Sequence, residues 1–287
     1  ALFTNGGFQE GTFNGWTLEH GSNYGLTISG GVPVAETVSW LPGPWTDPDY
    51  YTGLQRTYIT SGIDNDFLAQ ALPVVKYGLY SALVNSPDWN NHASRIYQED
   101  ALAAADRDAA DGRFHVRFAW AAVLEDPGHP AYGQPYFHVV LTNATSGAVL
   151  YSEFFYSNQP GYPWRTDSLN PSYYGWKWID WQEIDLDITD NVAVGDTIRI
   201  ELSVADCAFG GHGGYAFLDG FRSQASPVEG TSEGGLGALG AGCGRVIDVG
   251  GKDGSGSGPW SGAALVTLYF ALFLLPVWIL KRIHGGK

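Results

Sequence analysis

In residues 113–120 (RFHVRFAW) polar and apolar side chains alternate one by one, and the same period of two recurs in residues 197–204 (TIRIELSV). Side chains two apart share one face of a strand, so each segment predicts a strand with one face on a core and the other toward water. Short segments rich in β-branched and aromatic residues, bounded by turn-forming residues, predict further strands at 25–29, 32–39, 77–84, 135–142, 148–155, 176–186 and 214–221, with 113–120 extending to 124. Strands of this kind form antiparallel sheets packed face to face, and residues 1–224 are expected to be one β-sandwich. Only residues 99–110 (EDALAAADRDAA) have helix-forming composition; lacking an apolar stripe, they predict a short surface helix or a long turn. No fixed-period repeat occurs, which disfavours solenoids and propellers.

The pattern changes after residue 224. Residues 225–261 are dominated by Gly and Ser, with too few apolar residues for a core, and predict a flexible stalk. Residues 262–280 (GAALVTLYFALFLLPVWIL) carry no charge over nineteen positions, long enough for a helix to cross a bilayer, with a kink expected at Pro276. Trp260 and Trp278 lie near its ends, and Lys281, Arg282 and Lys287 mark residues 281–287 as a basic cytoplasmic tail. The chain begins at Ala1 and contains no Met, so it is expected to be a mature form that has lost a signal peptide, with its bulk outside the membrane in the cell envelope. The net charge of −15 argues against nucleic acid or anionic lipid as a partner of that bulk. The two cysteines, Cys207 and Cys243, allow at most one bridge and have no zinc or redox spacing.

Residues 2–16 (LFTNGGFQEGTFNGW) resemble the entry to jelly rolls of the galactose-binding, carbohydrate-binding-module type. The resemblance implies a structural calcium shared by the first and last strands. The matching positions are Gln9, with Asn5 and Glu10 nearby, and Asp219 in YAFLDGF. The family usually has Glu where Gln9 stands, which removes one charge from a site of hard oxygen ligands. The alternative is that Asn5 and Asp219 satisfy turn backbone groups. The segments VLEDPGHP (123–130) and ADCAFGGHGGYA (205–216) are similar to an extracellular domain of adhesin-like and gliding-motility-associated bacterial surface proteins. They place His129 and His212 at bends. With Asp206 and Cys207 these histidines form either a metal or catalytic cluster, or a structural one in which polar side chains pin loops and the thiol fills the core. Residues 242–251 (GCGRVIDVGG), before the hydrophobic run, resemble a CTERM-type sorting signal. Ile247, Asp248 and Val249 look closest to the JDVT variety, although Gly250 stands where that motif has Thr. Such tails are implied to be substrates of intramembrane sorting proteases, with Cys243 either an attachment point or an unpaired thiol; the simpler alternative is a permanent single-span anchor.

No GxSxG elbow, Walker loop, HExxH or dinucleotide fingerprint is present, and pairs of acids such as Asp180 with Glu183 suit solvated surface as well as a catalytic dyad. The expectation is therefore a binding protein and not an enzyme. Flat rings stack on sugar faces, and Trp45, Tyr50, Tyr51, Tyr162 and Trp164, flanked by Pro and Gly, are the candidate exposed set. Together these features predict an exported cell-surface binding or adhesion protein, with a glycan or another surface protein as partner. A structural subunit of an extracellular assembly, or mere cargo of a sorting protease, are the other readings.

Overall fold

The computed structural model describes residues 2–45, 55–61, 72–88, 90–166 and 175–225. Its strands are β1 (Thr17–Ser22), β2 (Leu26–Ser29), β3 (Val32–Glu36), β4 (Leu41–Pro42), β5 (Tyr58–Ser61), β6 (Tyr80–Val84) and β7 (His92–Ala101). They continue with β8 (His115–Glu125), β9 (Tyr136–Asn143), β10 (Ala148–Tyr156), β11 (Arg165–Thr166), β12 (Trp176–Asp187), β13 (Thr197–Ala205) and β14 (Gly214–Arg222). Two six-stranded antiparallel sheets result, in the orders β10-β9-β13-β7-β1-β4 and β11-β12-β8-β14-β6-β5, with β2-β3 as a separate hairpin. This is the expected β-sandwich. The stalk, the hydrophobic run at 262–280, the tail and the sorting residues Cys243, Ile247, Asp248 and Val249 lie outside the described residues, as do Tyr50 and Tyr51. Among the described residues no helix is long and apolar enough to cross a membrane.

The alternating residues behave as their period requires. Ile198, Ile200, Leu202 and Val204 of β13 and Val116, Phe118, Trp120, Ala122 and Leu124 of β8 meet in one core between the sheets. The other face of β8 departs from expectation, because it does not meet water. Ala121 and Val123 pack under a second apolar layer built from Leu72, Val74, Trp178, Tyr215 and Phe217. β8 is therefore buried on both faces, and Trp178 shares that outer layer with the partly covered Trp176 and Trp181. A register irregularity between Ile179 and Gln182 shifts the alternation of β12.

Residues 99–110 do not form an α-helix. Residues 99–101 end β7, and the rest is a turn around the 3-10 segment Ala104–Asp106. Tertiary bonds override the helical composition: Asp106 accepts the backbone N–H of Leu2 at 2.8 Å and of Ala103 at 2.8 Å, and Arg107 bridges to Phe114. The N-terminal segment is thereby fastened across the sandwich, and it is fastened again where Phe221 N–H donates to the Gly6 carbonyl at 3.0 Å.

Candidate ligand-binding loops at one end of the sandwich

Residues from the turns that leave β1, β6 and β13 and from the start of β7 gather around one buried carboxylate. Asp206 is fully buried just beyond β13. Its Oδ1 accepts Asn85 Nδ2 at 2.8 Å and Gly214 N–H at 3.2 Å, and its Oδ2 accepts His92 N–H at 3.2 Å. Asn23 Nδ2 donates to the Asp206 carbonyl at 2.7 Å, and Ser94 Oγ donates to Asn85 Oδ1 at 2.9 Å. Burial raises the Asp206 carboxyl above the usual range, against the opposing pull of His92 and Arg56. These bonds tie three sequence-distant stretches, at Asn23, residues 85–94 and residues 206–214, to one point.

Of the four residues that the motifs set apart, Asp206 is thus the structural one. The other three converge beside it. Candidate ligand atoms of His129, Cys207 and His212 all lie within 4.8 Å of one another, with Cys207 Sγ 3.5 Å from His212 Nδ1. The His129 and His212 rings meet edge to face at 5.1 Å. Cys207 is a fully buried free thiol, and burial pushes its pKa up, so the sulfur is neither ionised nor open to a substrate. Burial, reinforced by His129, holds the His212 imidazole below its usual pKa and therefore neutral. His129 Nε2 is buried and has no hydrogen-bond partner.

Above this trio sit large exposed rings. Tyr24 is 73% exposed, Phe209 54% and Tyr132 49%. Phe209 meets Tyr132 at 5.9 Å and His129 at 4.8 Å, both edge to face. Two glycines bring these rings together. A methyl on Gly133 would run into the Phe209 ring, and a methyl on Gly25, which has φ +118, would lie 3.1 Å from the Tyr132 carbonyl oxygen. Tyr24 directly precedes Gly25 in the chain. Tyr132 in HPAYG and Phe209 in CAFGG are likewise Pro- and Gly-flanked aromatics, the signal by which the sequence marks them.

Of the candidate exposed rings, Trp45, Tyr162 and Trp164 are described, and each is part-buried. Trp45 is half-buried between His20 and His92, at 4.9 and 4.5 Å, and its indole N–H donates to the Gly21 carbonyl at 3.0 Å. Tyr162 and Trp164 pack on Phe155 at 4.4 and 5.6 Å, with the Trp164 indole N–H on the Gln159 carbonyl at 2.9 Å. On the outer face of the first sheet, Arg95 lies over Trp40 at 4.4 Å and Arg199 over Tyr97 at 3.7 Å, while Glu19 pairs with Arg95, Glu99 with Arg199, and Glu201 with both. That strip already spends its charges on itself.

At the start of the chain, Gln9 Nε2 faces the carbonyls of Gly7 at 2.5 Å, Tyr77 at 3.2 Å and Tyr80 at 3.2 Å, while its Oε1 accepts Leu79 N–H at 2.9 Å. A primary amide has two hydrogens, so three carbonyls around one nitrogen leave a lone pair without a proton. Asp219 reaches the same loop: its Oδ2 accepts Lys76 N–H at 3.1 Å and Tyr77 N–H at 2.7 Å, its Oδ1 is buried without a partner, and burial pushes its pKa up to about 8. The three carbonyls, Gln9 Oε1 and the orphaned Asp219 Oδ1 are hard oxygens of the kind calcium takes, although the group that faces the carbonyls here is the Gln9 amide nitrogen, a donor and not a ligand. Asn5 and Glu10 make local contacts instead, Asn5 with Thr12 and the Glu10 backbone, and Glu10 with Asn14.

No family model and no curated protein matches the chain. Among solved structures, the carbohydrate-binding module TmCBM61 in complex with β-1,4-galactotriose aligns with 15% identity and a TM-score of 0.38, covering 77% of this chain and 94% of that one. A non-crystalline-cellulose-specific module, CBM28, aligns with 13% identity and a TM-score of 0.31 over 79% of this chain and 96% of its own. The K2 adhesin domain of Lys-gingipain aligns with 16% identity and a TM-score of 0.29 over 70% and 95%.

Proposed function

We propose that the chain is a cell-surface binding protein that takes neutral glycans on the rings of Tyr24, Tyr132 and Phe209. The observation that carries this reading is the edge-to-face contact of two large exposed rings, Tyr132 and Phe209, with the exposed Tyr24 next to Gly25, whose backbone approaches Tyr132. A solvent-facing aromatic patch held in place costs little further ordering when a ligand arrives. Pyranose rings offer flat C–H faces for such a patch, and the net charge of −15 favours uncharged sugars over sulfated or phosphorylated ones. The role is binding without catalysis. Gln9, Asp219 and the carbonyls of Gly7, Tyr77 and Tyr80 would hold a calcium ion that tightens the N-terminal loop onto the last strand. The segment at 262–280 would hold the chain in the envelope as a single span, with Cys243 and Ile247–Asp248–Val249 the site at which an intramembrane protease processes it.

The full chain in detergent, applied to an array of neutral and acidic glycans, tests the reading. Retention on neutral glycans is expected, and the Tyr132→Ala, Phe209→Ala double variant should lose about 2 kcal/mol, or roughly thirtyfold in Kd. Absence of retention on every neutral glycan, or equal retention by the double variant, would overturn it.

A further inference from the structure

The geometry points to a transition-metal site formed by His129, Cys207 and His212, and we propose that it binds Zn(II). The inference does not depend on the glycan reading. Its first support is distance. A tetrahedral zinc with Zn–S about 2.3 Å and Zn–N about 2.0 Å sets sulfur and nitrogen ~3.5 Å apart and two nitrogens ~3.3 Å apart. Cys207 Sγ and His212 Nδ1 are 3.5 Å apart, and all three candidate atoms lie within 4.8 Å, so small rotations of the His129 ring would complete the set.

The second support is the unspent valence of the group. His129 Nε2 is buried and has no hydrogen-bond partner, an arrangement that costs free energy unless something accepts its lone pair or its proton. The Asp108, Asp111 and His115 trio shows the contrast. There His115 donates from Nδ1 to Asp185 at 2.7 Å and from Nε2 to Asp111 at 3.0 Å, while Asp108 pairs with Arg117 at 2.7 Å. Both imidazole nitrogens are used and a cation is already present, which leaves nothing for a metal.

The third support is the way the ligands are mounted. Cys207 and His212 sit on either side of a short turn closed by Cys207 N–H donating to the His212 carbonyl at 2.9 Å and by Gly210 N–H on the Cys207 carbonyl at 3.3 Å. The positive φ of Gly210, +71, and Gly211, +104, lets the chain double back so that both side chains meet. His129 arrives from the turn after β8, joined to the same turn through Phe209 at 4.8 Å. A nitrogen, nitrogen, sulfur set suits zinc, whose filled d shell imposes no other geometry. Binding releases the thiol proton to solvent and forms one Zn–S and two Zn–N bonds, with water as the fourth ligand and no change in oxidation state.

The test uses the full chain, stripped of metal and titrated with Co(II) and then Zn(II). One equivalent of Co(II) should produce the near-ultraviolet thiolate charge-transfer band and intense visible bands of a tetrahedral site, and one equivalent of Zn(II) should abolish them. Cys207→Ser should lose the charge-transfer band and Cys243→Ser should keep it. His129→Gln, which leaves the thiol and the Asp206 network in place, should weaken Zn(II) binding by at least about tenfold, since even supporting residues of metal sites cost that much. The proposal is overturned if no thiolate band forms at one equivalent, if the band follows Cys243, or if His129→Gln binds Zn(II) as tightly as the parent. Any of these results would leave only a thiol–imidazole hydrogen bond at this place, whatever the glycan array shows.

Discussion

His138 on β9 lies opposite Phe154 of β10 and Ser203 of β13, stacked on the Phe154 ring at 4.2 Å and 18°. Its Nδ1 is buried without a hydrogen-bond partner, and burial pulls its pKa from 6.5 to about 4, with Glu201 opposing only in part. The folded imidazole thus resists the proton that the unfolded chain accepts. With the folded value depressed, the stability at stake is complete above the unfolded pKa and falls as the pH drops from 6.5 toward 4. At about 1.4 kcal/mol per pH unit, the loss reaches about 2 kcal/mol at pH 5 and about 3 kcal/mol at the bottom of the window. Replacing His138 by Phe keeps a ring on Phe154 and removes the titration. Urea unfolding of parent and His138→Phe at pH 7.5 and pH 5.0 isolates the effect, because acid-sensitive carboxylates elsewhere cancel between them. The parent should lose about 2 kcal/mol more than the variant on acidification. Equal losses, within about 0.5 kcal/mol, would refute the assignment of a neutral buried imidazole at this position.

Two other perturbations probe the loops. Asp206→Ala deprives Asn85 Nδ2 and the backbone N–H groups of Gly214 and His92 of their acceptor. At about 1–3 kcal/mol for each stranded donor, offset by release of a buried carboxylate, the net cost should be about 3 kcal/mol, or ~6–12 °C in Tm; calorimetry showing less than about 1 kcal/mol would dismiss the network as the organiser of this end. Calcium at about a hundredfold above its Kd should raise Tm by ~5–10 °C in a Cys207→Ser background, where zinc cannot contribute, and Asp219→Asn should remove most of that rise. An unmoved midpoint with calcium or with chelator would count against a cation between Gln9 and Asp219.

Legibility in the sequence followed the chemistry of each strand's inward face. β8 and β13 were plain because their inward residues are uniformly apolar. β7 escaped notice because it turns Ser94 and Gln98 inward along with Ile96, and its period is masked. Ser94 is met there by Asn85, nine residues earlier, and the Gln98 amide N–H by the Thr4 carbonyl from the far N-terminal segment. The second apolar layer over β8 was invisible for a related reason: Leu72 and Val74 come from a segment with no strand period of its own. At the candidate site, glycine-rich turns revealed which residues stand at bends. They could not reveal that His129, Cys207 and His212 meet while Asp206 turns away, because that division depends on Asn85 and His92 claiming the carboxylate.

The loop that carries Cys207, Phe209 and His212 runs directly into β14, and the chain leaves β14 toward residue 225 at the opposite end of the same strand. A pull between a glycan on the rings and a tether beyond residue 225 would therefore run lengthwise along one strand. β14 is hydrogen-bonded on both sides, to β8 and to β6. Tension applied at the two ends of one strand is carried by that strand's covalent backbone, so the hydrogen bonds to β8 and β6 would bear little of it. The connection order alone would let such a pull bypass the packing of the sandwich, leaving the rest of the fold unloaded.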